Sequence, residues 1–169
     1  MLLTAETKSK LDALLTDSFL LNMQLDNLVY QIDALGYVNM GPIFHESFAH
    51  KAPQWADEIS TFMNKMNACP IRGNLVADYQ DFGGDIGAIF EKVSALMNEY
   101  RKKAIEALDI AEFNEDREAQ LFMEDFLMKL VDYRKQADEW ARSANRFTDD
   151  YKSFDVYFEK LTSFIPVIK

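Results

Sequence analysis

The chain is poor in the residues that punctuate or staple a fold. It has one cysteine, Cys69, so no internal disulfide can form. Four prolines and six glycines in 169 residues leave few breaks. Residues with branched β-carbons never alternate for more than a few positions, so strand signals are nearly missing. Apolar runs are far too short to cross a bilayer. The start, Met-Leu-Leu-Thr-Ala-Glu-Thr-Lys, lacks the basic and apolar regions of a secretory signal. These absences predict a cytoplasmic helical protein with no membrane partner. Basic residues number 18 against 28 acidic ones, a net charge of -10. Such a surface repels phosphates, which disfavours nucleic acid, and attracts cations. No repeat, low-complexity tract or linker divides the chain, so we read 1–169 as one domain. A chain of this length buries enough surface to fold without a metal.

What is present is helical period. Thr4 can cap a first helix, from about Ala5 to Leu35, with Leu11, Leu14, Ser18, Leu21, Leu25, Leu28, Ile32 and Leu35 in one stripe. Gly36 is its stop. A second helix starts at Pro42 and carries Phe44, Phe48, Trp55, Ile59, Phe62 and Met66. Pro53 must kink it or break it in two. From Cys69 to about Gly84 the pattern lapses for roughly 16 residues, more than a tight turn needs. A segment that long can run the length of a bundle. It predicts a crossover that leaves the second and third helices parallel. The third helix follows from about Asp85 to Phe113, with Ile86, Phe90, Val93, Met97, Tyr100, Ala104 and Leu108 inward. The fourth shows Phe122, Phe126, Leu130, Tyr133, Ala137, Trp140 and Ala144, with Asn114 as the expected cap. Its short connection to the third makes the two antiparallel neighbours. Tyr151, Phe154, Phe158, Leu161 and Phe164 suggest a short fifth helix, closed by Pro166. It must pack on the bundle or on another subunit.

Four long helices, one long middle crossover and a short C-terminal helix together resemble the ferritin-like superfamily, over nearly the whole chain. Local text agrees. Met1-Leu2-Leu3-Thr4 followed by Lys10-Leu11 is similar to bacterial ferritin N-termini. Phe44 with Ala49, in a helix ending at Pro70, matches their second helix. Ile89-Phe90 aligns without gaps through Asn114. Asp57-Glu58-Ile59 through Pro70-Ile71 also resembles the DNA-protecting mini-ferritins. The resemblance implies iron storage or sequestration, homo-oligomers, and ferrous oxidation at a carboxylate and histidine centre.

The ligand positions depart from that pattern. Carried across, the family's Glu and His of the second helix fall on Ala52 and Trp55, and its third-helix Glu on Met97. The first-helix Glu falls on Met23, beside Gln24, and the fourth-helix polar positions near Leu130 and Tyr133. Of the mini-ferritin pair, Asp57 matches but its partner position is Thr61. A standard di-iron ferroxidase centre is therefore not expected, and large apolar side chains would fill the bundle centre instead. That argues against the enzyme activity the family implies, and favours either iron handling without it or a metal-free structural or interaction module. An unrelated helical-bundle adaptor is the third reading, separated from both by antiparallel second and third helices.

Other metal candidates are few. The histidines are His45 and His50. Glu46 and His50 are spaced i,i+4, so they share a helix face and could hold a cation such as iron. Asp57 and Glu58 lie two to three turns on, beyond Pro53. The competing reading is exposed polar residues or a subunit contact. Asp26, Gln31 and Asp33 read as solvated surface. Gly83-Gly84 lacks the pattern of a phosphate loop. Cys69 has no neighbouring His or basic cluster that would make it a nucleophile. An apolar pocket for haem would need an axial ligand, and none can be placed, so no cofactor other than iron is expected.

Overall fold

The structure is a computed structural model describing residues 1–168. Its helices are α1 (Ala5–Ala34), α2 (Met40–Phe44), α3 (Lys51–Lys65), α4 (Ile86–Phe113), α5 (Arg117–Arg146) and α6 (Tyr151–Leu161), with a π turn (His45–Ala49) between α2 and α3. α2, the π turn and α3 together make the second long helix expected from the sequence. No helix among the described residues is long and apolar enough to cross a membrane.

Helix directions follow from hydrogen bonds at the ends. Leu2 donates its N–H to the Met66 carbonyl, so α3 ends where α1 begins. The connection 66–85 then climbs α1. Ile71 N–H donates to Asp12 and Gly73 N–H to Thr16. Further on, Phe82 N–H donates to Gln31 Oε1, and Gln31 Nε2 donates to the Gln80 carbonyl. From Asp12 to Gln31 is about 28 Å of helix. The strap therefore carries the chain from the bottom of the bundle to the top, and α3 and α4 run parallel. At the bottom again, Asp116 accepts from the Thr4 N–H and, at 2.7 Å, from the Thr4 hydroxyl. That carboxylate ties the start of α5 to the start of α1.

The caps mostly follow the sequence. Thr4 Oγ1 accepts from Thr7 N–H, and Asp85 and Asp150 cap α4 and α6 in the same way. Gly36 has φ +82°, the left-handed stop expected of it. The start of α5 differs. Asn114 donates to Glu6 instead of capping, and Asp116 stands at the helix start.

The inward stripes meet as read from their period, except that Leu35, just past the end of α1, is 45% exposed, and Phe164 lies beyond α6, which ends at Leu161. Phe62, Leu108, Phe122 and Tyr133 lie at the margin of the core, packed against it. At the top, Trp140 is the largest fully buried side chain. It stacks on Phe158 at 5.0 Å and touches Phe44, Phe48 and Phe90 at 5.2 to 5.6 Å. Its indole N–H donates to Thr162. Phe154 and Phe158 are fully buried, so α6 packs on the bundle. Its buried Asp155 accepts from the N–H groups of Asn39 and Met40, capping α2 from across the fold.

Candidate metal site at the π turn

The break near Pro53 has a specific form. Pro53 lacks the N–H that would bond the Ala49 carbonyl in a continuous α-helix. As the third residue of α3, it occupies one of the positions whose N–H needs no intrahelical partner. Asn22 of α1 donates to the freed Ala49 carbonyl at 3.1 Å. Just before it, His50 N–H bonds the His45 carbonyl, five residues back. That wider loop is a π turn.

The turn decides which side chains meet. In an α-helix, residues five apart point about 140° away from each other. The five-residue closure brings them to one side. The His45 and His50 rings lie 4.2 Å apart, centroid to centroid. Asp26 of α1 faces them, its Oδ1 3.4 Å from His45 Nε2. One donor atom from each of Asp26, His45 and His50 falls within 4.8 Å of the others. Behind His50, Glu46 Oε2 lies 3.2 Å from Nδ1. Asn22 Nδ2 also reaches Asp26 Oδ1 at 3.4 Å, linking the carboxylate to the turn. Asp26 and His45 are 21% and 29% exposed, His50 41%, so the group is partly buried and open to solvent. Partial burial raises the Asp26 carboxyl pKa, and the two neighbouring imidazoles counter it.

Of the five residues singled out from the sequence, three come together here: His45, Glu46 and His50. Asp57 and Glu58 are not in the group, and Glu58 instead pairs with Lys129 of α5 at 3.4 Å. Asp26, read as solvated surface, completes the set. No sequence signal marked it, because its position depends on how α1 packs against a turn some twenty residues on.

The bundle centre has a different chemistry. Ala52, Met97 and Leu130 are fully buried, and Trp55 nearly so. Trp55 stacks on Tyr100 at 5.6 Å and meets Tyr133 edge-on at 5.2 Å. Tyr100 donates to Ser18 Oγ at 2.5 Å, and Ser18 donates on to the Leu14 carbonyl. Burial holds the Tyr100 phenol far above its ordinary pKa. Met23 is on the outside, 39% exposed. Ala52, Trp55, Met97 and Leu130 offer no carboxylate or imidazole.

This arrangement of helices has solved counterparts. An open-pore ferritin from the hyperthermophilic archaeon Archaeoglobus fulgidus superposes with a TM-score of 0.82, covering 95% of this chain and 98% of that one at 11% identity. The chain has the ferritin fold. A humanized archaeal ferritin matches over the same shares, with a TM-score of 0.85 and 12% identity. No protein-family model and no curated protein sequence matches it. Identities this low speak for the fold alone. Within that fold, the strap is the crossover, α6 the short C-terminal helix, and the π turn a break in the second long helix.

Proposed function

We propose that this ferritin-fold chain belongs to the iron storage and sequestration class and works without a standard di-iron ferroxidase centre. The observation that carries the first half is the full-length likeness to ferritins. A net charge of -10 supports it by drawing cations to the surface. The second half rests on Ala52, Trp55, Met97 and Leu130 at the positions to which the family's ligands align. Iron needs hard oxygen and imidazole donors, and these side chains do not fit it. Aromatic packing replaces buried charges that would be costly to keep. We further propose a cytosolic homo-oligomer. The exposed apolar residues Ile71, Val76 and Tyr79 of the strap support self-association, which light scattering measures directly.

The test is ferrous loading of the purified chain. Iron retained above a buffer control, with oxidation no faster than in buffer, is the expected result. No retained iron rejects the class. Oxidation well above buffer rejects the missing ferroxidase centre. The filled centre also favours a second reading, a metal-free structural module, which predicts no retained iron with the same oligomer in solution.

A further inference from the structure

We propose that Asp26, His45 and His50 form a mononuclear site for a divalent transition-metal ion of the zinc or cobalt(II) class, assembled by the π turn. The site stands on its own donors and goes beyond the iron reading. It uses none of the bundle-centre positions.

Two imidazoles and one carboxylate suit zinc and its neighbours better than magnesium or calcium, which prefer all-oxygen cages. Three protein donors with one side open leave a position for water. The spacing fits. At metal–ligand distances of about 2.05 Å, tetrahedral donors lie about 3.3 Å apart. Asp26 Oδ1 and His45 Nε2 are 3.4 Å apart, and a donor atom of His50 lies within 4.8 Å of both partners. Glu46 supplies an outer partner. A proton on His50 Nδ1 donated to Glu46 leaves the Nε2 lone pair free and fixes the ring. Glu46 is thus a positioning residue. Asn22 holds the two halves together, since it bonds both Asp26 and the Ala49 carbonyl freed by Pro53. The alternative use of the same side chains is two plain imidazole–carboxylate pairs, Asp26 with His45 and Glu46 with His50.

The experiment is calorimetric titration of chelator-stripped full-length protein with Zn2+ alone, repeated with Co2+ followed by visible absorption. One ion per chain is expected, with the intense cobalt bands of a four-coordinate site. Asp26→Asn, His45→Gln and His50→Gln should each weaken binding at least about tenfold, and Glu46→Gln by about tenfold or more. Asp57→Asn and Glu58→Gln should leave the affinity unchanged. Thermal melts of the variants without metal confirm that each remains folded, and the conservative Gln and Asn replacements guard against collapse of the turn. No saturable uptake by the parent chain overturns the site. So does equal affinity in the three ligand variants, or half an ion per chain, which would mean a bridge between copies. Zinc bound here without retained iron keeps this site and removes the iron reading; iron retained by a chain that takes up no zinc does the reverse.

Discussion

Replacing Asp155 with Ala should destabilise the chain by roughly 3–5 kcal/mol, among the larger losses available to one polar residue. Asp155 sits in α6 with 6% of its surface exposed. Its Oδ1 accepts from Asn39 N–H at 3.1 Å and from Met40 N–H at 2.7 Å, and Oδ2 accepts from Asn39 Nδ2 at 3.3 Å. A hydrogen bond to a charged acceptor contributes about 1.5–3 kcal/mol, and a stranded buried donor costs about 1–3. Met40 is fully buried, so water cannot replace the lost acceptor at its N–H. Removing the carboxylate also uncaps α2, worth about 1 kcal/mol. These terms overlap, and their sum is therefore trimmed. Asp155→Asn keeps one carbonyl-type oxygen for both backbone donors and gives up the charge, so about 1–2 kcal/mol is expected. Urea unfolding with an unchanged slope reads both values as midpoint shifts. An Ala loss under about 0.5 kcal/mol, within the range of ordinary surface substitutions, would refute the capping argument. So would an Asn loss equal to the Ala loss.

Trp55→Ala should cost about 3–5 kcal/mol in the same assay, because it empties the space against Tyr100 and Tyr133; a loss under 1 would mean the bundle centre is not closely packed. Zn2+ at about 100 times its dissociation constant should stabilise the fold by about 2.7 kcal/mol and raise the melting temperature by about 5–10 °C, reversed by chelator, whereas the His45→Gln chain at the same zinc concentration should rise by no more than about half as much. Acid should loosen two junctions. Burial pushes the Asp116 carboxyl up, but hydrogen bonds from Thr7 and Thr4 outweigh it and hold the pKa below the ordinary value; Ser153 does the same for Asp150. Folded pKa values below the unfolded value of about 3.9 mean that the stabilisation is complete above about pH 4 and fades as pH falls through the folded values. Asp116→Asn and Asp150→Asn should therefore match the parent's pH slope above pH 5 and decline less steeply below 4, and melts across pH that stay parallel throughout would contradict this.

Much of the fold was legible because it is written in local signals. The stripe from Leu11 to Ile32, the Thr4 cap and the Gly36 stop gave α1 to within a residue. The lapse after Cys69 gave the strap, and its length was enough for it to span the bundle. What could not be read depends on distant partners. Asn114 looked like the cap of α5, but Thr4, 112 residues away, draws Asp116 into that junction. Gln31 looked solvated, yet it grips the strap at Gln80 and Phe82. The candidate site was half legible. Glu46 and His50 stood out at α-helical spacing, while His45 joined them only through a π turn that a 3.6-residue period cannot register. Pro53 announced a break without saying where the lost turn would go. Asp26 enters through tertiary packing alone.

Anomalous diffraction at the zinc edge, from crystals of the full chain soaked in Zn2+, tests the central claim most directly. One peak bounded by Asp26, His45 and His50, with none among Ala52, Trp55 and Met97, is the predicted result. A peak in the bundle centre with the π-turn site empty would contradict it.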